Sequence, residues 1–160
     1  MCIYIYSDMK SLSTPTLPCM CANVRRAARA LTQRYDEALR PLGLTITQFT
    51  ILQALSLAGE RTQGQLGEIL AMDSTTLTRT LAIMSRHGWI AKKYGTDRRE
   101  RLLRLTRTGE SELNRALPYW RSTQEMLRVR LGKERWDDLT ELINDTTAII
   151  AEQGDLHATN

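Results

Sequence analysis

The stretch from residue 72 to residue 110, MDSTTLTRTLAIMSRHGWIAKKYGTDRRERLLRLTRTGE, decides the fold. In its first half Leu77, Leu81 and Met84 recur at four- and three-residue spacing, the inner row of a helix. Ser74, Thr75, Thr78, Arg79, Ala82 and Arg86 fall on its other faces, and Asp73 or Ser74 supplies an N-cap. The second half, WIAKKY, then a turn at GTDRRE, then RLLRLT, reads as a hairpin with Leu103 and Leu105 on one face and Arg104 on the other.

Working backwards, Thr62 followed three places on by Gln65 is a capping box, opening a short helix with Leu66, Ile69 and Leu70 inside. This helix meets the next at a tight turn, Ala71-Met72-Asp73. Before it, TITQFTILQALSLAG predicts a helix capped by Thr45 or Thr47, closed by Gly59, with Phe49, Leu52 and Leu55 turned inward. Val24, Ala28, Leu31, Tyr35 and Leu42 mark a first helix of about 20 residues that Pro41 and Gly43 terminate. Beyond the hairpin, Leu113, Leu117, Trp120, Leu127 and Leu131 trace one helix, which Pro118 should kink, and Trp136, Leu139, Ile143, Thr146 and Ile150 trace another. Helix, turn, helix and hairpin in this order describe a winged helix. The fold class expected is mainly α with a small β-hairpin wing, flanked by N- and C-terminal dimerisation helices.

The expected organisation is a mobile arm at 1–18, a dimerisation helix at 19–44, a DNA-binding lobe at 45–107, dimerisation helices at 108–152 and a tail at 153–160. The flanking helices carry more apolar surface than a small core can cover, which assigns them to a subunit interface. At 160 residues the chain accommodates one domain with such helices. Its 42% apolar and 25% charged content is ordinary for a folded domain. No stretch approaches the ~18 apolar residues of a membrane span, and the start lacks a signal-peptide pattern, so a cytoplasmic protein without membrane contact is expected. Cys2, Cys19 and Cys21 all lie in the first 21 residues and cannot staple the rest of the fold. The two histidines, His87 and His157, are far from them, so neither a metal site nor a cofactor is expected.

Charge is concentrated where the hairpin is. Between residues 92 and 107 stand seven basic residues, Lys92, Lys93, Arg98, Arg99, Arg101, Arg104 and Arg107, against the acidic Asp97 and Glu100. That local surplus of five exceeds the net +4 of the whole chain, and counterion release from phosphates is the physical use of such a strip. The preceding helix presents Ser74, Thr75, Thr76, Thr78 and Arg79 to a major groove, where hydroxyls reach phosphates and bases and an arginine pairs with guanine. Arg86, Lys92, Lys93, Arg98, Arg99 and Arg101 complete the expected contact set. Arg99 at the hairpin tip suits a minor groove, with Asp97 orienting the turn or the guanidinium. No nucleophile–base pair, phosphate loop or paired carboxylates stand out, so no catalytic residue is assigned. A dimeric interaction protein that keeps the winged helix but binds no DNA is the alternative.

The run from Met72 to Glu110 resembles the recognition helix and wing of the MarR family, including the D-x-R of Asp97 and Arg99 and the L-T-x-x-G of Leu105, Thr106 and Gly109. The resemblance covers residues 20 to 152. It implies a homodimer whose first and last helices interlock on a pseudo-palindromic operator in double-stranded DNA, with repression relieved by a small molecule or an oxidant. One input it implies is an aromatic or phenolic effector held between the DNA-binding lobe and the dimer helices. The sequence offers Tyr35, Trp89, Trp120 and Trp136 but gives none of them that role.

The other input is redox. Cys21 stands near the start of the first helix with Arg25 one turn later, and both the helix dipole and the cation favour thiolate. Cys19 shares the dipole only. The position of Cys21, fourteen residues before Tyr35, is similar to that of the reactive cysteine in the organic-hydroperoxide branch of the family, where a matching tyrosine contacts the cysteine of the other subunit. The second phenol of that branch falls at Ile46 here. Fourteen residues of helix span about 21 Å, so Tyr35 reaches Cys21 only across an antiparallel dimer. Cys21, Cys19 and Tyr35 are therefore candidate redox residues, against the plainer reading of the cysteines as small buried hydrophobes.

Overall fold

The computed structural model describes residues 18–94 and 101–157, of which 151–157 are described as helix backbone. The arm expected at 1–18 and the hairpin tip at 95–100 thus lie almost wholly outside the described residues. The chain divides after Arg34 into two units, a division carried by the helix α1 (Met20–Leu39). In the first unit α1 leaves Met20, Val24 and Leu31 exposed. Its last turn, in the second unit, buries Tyr35 and Leu39.

The second unit continues through a 3-10 turn (Arg40–Leu42), α2 (Ile46–Ala58), β1 (Arg61–Thr62), α3 (Gln63–Leu70), α4 (Ser74–Arg86), β2 (Ile90–Tyr94), β3 (Arg101–Leu105), α5 (Arg107–Leu131) and α6 (Lys133–His157). This is the winged helix-turn-helix that the sequence predicts. The first helix stops at Leu39 rather than running to Pro41, because proline imposes its own φ and here opens the 3-10 turn that Gly43 closes at φ 67°. At the other end α6 continues to His157, past the residue where its apolar pattern fades.

The starts of α2, α3 and α4 each have a chemical cause. Thr45 accepts from the Gln48 N–H at 3.3 Å while the Gln48 side chain accepts from the Thr45 N–H at 2.9 Å, a capping box that settles the choice between Thr45 and Thr47. Asp36 adds a third tie, accepting from the Ile46 N–H at 2.6 Å. Thr62 and Gln65 form the expected capping box at α3, and Asp73 caps α4 by accepting from the Thr76 N–H at 2.8 Å.

The core gathers Leu39, Leu44, Phe49, Ile51, Leu52, Leu55, Leu66, Leu77, Leu81, Met84, Trp89, Ile90, Leu103, Leu113 and Ala116, with Trp120 stacked on Phe49 at 5.7 Å. Each large side chain buried there contributes roughly 1.5–3 kcal/mol. Ile69, expected inside, is 52% exposed, since two turns of α3 bury one row headed by Leu66.

The sheet has the order β1-β3-β2, both pairs antiparallel, with Ile90 opposite Leu105, Lys92 opposite Leu103 and Tyr94 opposite Arg101. Sequence reading supplies the hairpin but not β1, whose two residues pair with Leu102 and Leu103.

One junction joins α4, the sheet and α5. The Thr106 N–H donates to the Trp89 carbonyl at 3.0 Å, and its hydroxyl donates to the Gly88 carbonyl at 2.6 Å. The same hydroxyl oxygen accepts from the Gly109 N–H at 3.0 Å and so caps α5. A Cβ on Gly109 would lie 2.1 Å from the Trp89 carbonyl oxygen, so only hydrogen fits. Gly109→Ala is expected to destabilise the protein by about 2 kcal/mol or more, as overpacking against backbone does. Urea unfolding at fixed protein concentration measures it, and an unshifted midpoint would contradict the tight approach.

Candidate nucleic-acid interface

α4 forms because its apolar residues keep a helical period and Asp73 satisfies its first turn. The Asp73 carboxyl is held below its ordinary value of 3.8, chiefly by the Thr76 hydrogen bonds. A carboxylate depressed in this way favours the fold above its ordinary pKa, and that contribution fades as pH falls through the folded value. Leu77, Leu81 and Met84 are buried to 2% or less, which fixes the helix's rotation about its axis. That rotation leaves Ser74, Thr75, Thr76, Thr78, Arg79 and Arg86 exposed. The six residues expected on the reading helix are therefore all accessible on one element.

Their polar groups are not equivalent. The Thr78 hydroxyl donates to the Ser74 carbonyl at 2.6 Å and accepts from Nε2 of Gln63 at 2.7 Å. Thr80 donates to the Thr76 carbonyl at 2.9 Å. Gln63, the first residue of α3, was not in the sequence-derived set, because nothing in the pattern of α3 ties it to a residue fifteen places on.

The hairpin root carries the next group. Lys92, Lys93 and Arg101 are exposed, as expected. Lys93 forms an ion pair with Glu60 at 2.9 Å, and both side chains keep more than a third of their surface in solvent. Such a pair contributes little to stability, but it places an acidic partner beside one of the basic residues. Arg101 lies 4.2 Å above the ring centre of Tyr94, its cross-strand neighbour, an arrangement that steers the guanidinium without discharging it. Glu60 and Tyr94 are further residues that sequence reading missed. Asp97, Arg98 and Arg99 lie outside the described residues.

The candidate redox residues separate into two settings. Cys19 and Cys21 are exposed at the start of α1, not buried within the chain. Tyr35 is buried, and its hydroxyl donates to Oε1 of Gln124 on α5, with burial raising its pKa. Of the four aromatic residues named from the sequence, Trp89 is also buried, stacked on His87 at 4.5 Å. Trp120 and Trp136 line an open cleft of about 360 Å³ together with Arg121, Gln124 and Arg128. Among the described residues no group of His, Cys, Asp or Glu has the arrangement of a metal site.

Comparison with known proteins gives concordant matches. Residues 42–100 match the model of the MarR family. The HTH-type transcriptional regulator YwoH of Bacillus subtilis is 32% identical over 89 residues, which span 56% of this chain and 65% of that one. Against a Bacillus cereus HTH-type regulator the chain spans 57% of the relative's length at 31% identity. The crystal structure of the M. tuberculosis transcriptional regulator MosR in complex with DNA is 37% identical, with a TM-score of 0.75, covering 84% of this chain and 97% of MosR. A MarR variant from E. coli complexed with operator DNA, at 22% identity and a TM-score of 0.72 over 79% of this chain and 92% of that one, shares the fold. These relatives are regulators rather than enzymes, as the sequence reading expects.

Proposed function

The chain belongs to the MarR family, and on that premise we propose that it is a sequence-specific double-stranded-DNA-binding transcriptional regulator, a repressor acting as a homodimer on a pseudo-palindromic operator. The observation that carries this reading is α4, whose polar face of Ser74, Thr75, Thr76, Thr78 and Arg79 stands over a buried apolar row and is followed directly by a hairpin of net positive charge. Lys92, Lys93 and Arg101, with Arg98 and Arg99, supply the phosphate and minor-groove contacts in this reading, Asp97 orients the turn or the Arg99 guanidinium, and Arg86 adds a charge at the end of α4. The DNA held by MosR supports a partner of the same kind. No single helix among the described residues is long and apolar enough to cross a membrane, and a cytoplasmic site of action fits a partner of this class.

Two substitutions separate the contact types. Lys92→Ala should weaken binding to all sequences and lower the slope of log affinity against log salt by about one. Arg79→Ala should instead change which sequence is preferred, by roughly 1–3 kcal/mol at one base pair. Fluorescence anisotropy on genomic fragments reads both, and absence of binding by the unaltered protein at low salt would sink the reading. Repression predicts that deleting the gene raises transcription from the promoter the fragments identify.

The homodimer rests on α6. Among its residues up to 150 none is buried, and Leu139, Leu142, Ile143, Ile149 and Ile150 form an exposed apolar stripe of helical period. α1 adds the exposed Met20, Val24 and Leu31. Ile143→Asp should convert a dimer to a monomer in sedimentation equilibrium and abolish operator binding. A monomeric unaltered protein would refute the assignment.

Release from DNA, in this reading, follows either a small aromatic ligand or thiol oxidation. The cleft with Trp120, Trp136, Arg121 and Arg128 supports the first. Exposure of Cys19 and Cys21 supports the second, with Tyr35 in a different part, since Gln124 engages its hydroxyl. Operator binding measured before and after mild organic hydroperoxide decides between them. Loss that Cys21→Ser prevents identifies a thiol switch, whereas indifference to the oxidant in the unaltered protein leaves the aromatic ligand.

A further inference from the structure

The hydrogen-bond chain Gln63–Thr78–Ser74 crosses from α3 to α4, and its proton count decides the orientation of the Gln63 amide. A carbonyl oxygen only accepts, so the single Thr78 hydroxyl proton is committed to Ser74 at 2.6 Å. The contact at 2.7 Å between Thr78 and Gln63 must then be donated by the glutamine, which sets Nε2 toward Thr78 and leaves Oε1 out of that contact. Thr78 in consequence has no proton left for a base or a phosphate. Gln63 keeps an acceptor and a second N–H, the donor–acceptor set with which a glutamine side chain reads adenine in a major groove. Thr78 is exposed and Gln63 half-buried, and the contact brings the amide against Thr78, one turn into α4 and on its polar face.

We propose that Gln63, from the helix preceding the reading helix, is a specificity-determining residue that recognises an adenine in each half-site, and that Thr78 is its positioning residue rather than a base contact. This rests on the DNA-binding reading given above. A first helix that merely crosses the backbone would use Gln63 on a phosphate, which carries no sequence information, so the two roles separate experimentally.

The test selects sites from a randomised duplex library with the full chain at low salt and compares the enriched sequences. The unaltered protein is expected to enrich adenine at one position per half-site, and Gln63→Ala to lose about tenfold or more of that discrimination while keeping the remaining positions. Thr78→Val, which removes the hydroxyl at nearly constant shape, should blur the same position, and Thr78→Ser should restore it. Identical enriched sequences for the unaltered protein and Gln63→Ala, or an equal loss on every sequence, would overturn the assignment of Gln63. A Thr78→Val protein with the unaltered preference would overturn the role of Thr78. If the unaltered protein enriches no sequence, the DNA-binding reading fails and this inference with it.

Discussion

The architecture turns on the Trp89 carbonyl. It receives the Thr106 N–H and leaves room for nothing larger than hydrogen at Gly109. Three elements depend on that one approach: α4 ends two residues before Gly88, β2 begins at Ile90, and α5 takes its first turn against the same atoms. α4, the root of the hairpin and the first turn of α5 therefore form one mechanical piece. Thr106 serves it twice, since one hydroxyl both donates into the junction and caps α5. Loss of Thr106 or of the space kept at Gly109 would loosen all three elements together.

Much of this was legible in the sequence, and where it was, the reason is local chemistry. α4 could be drawn from Leu77, Leu81 and Met84 with Asp73 ahead of them because helix period and capping involve neighbours in the chain. The Thr62–Gln65 capping box and the strands on either side of residues 95–100 were readable on the same terms. The L-T-x-x-G of Leu105, Thr106 and Gly109 was visible only as a resemblance. Its physical content, a hydroxyl shared between two backbones and a glycine with no space for a methyl, exists only once Trp89 is brought against it.

What the sequence withheld is non-local. β1 has two residues, too short for any alternation, and exists because β3 offers it an edge. The pairings of Glu60 with Lys93, Gln63 with Thr78 and Tyr35 with Gln124 join residues 33, 15 and 89 positions apart, and no spacing rule reaches across such gaps. Ile69 fits the period of α3 but is exposed, since a two-turn helix has one covered row. The charge count of the basic strip is likewise blind to its neighbours, Glu60 beside Lys93 and the Tyr94 ring beneath Arg101.

The bare flank of α6 has a consequence for the life of the molecule after synthesis. A helix in a protein draws most of its stability from packing of its apolar face, and this one keeps only Trp136 half-covered through residue 150. A newly made chain that has found no cover for Leu142 and Ile149 thus presents an exposed apolar segment of the kind that proteases and chaperones survey. Where the flank stays bare, turnover rises, and the cell's supply of the protein then depends on how quickly that flank is covered as well as on how fast the gene is read.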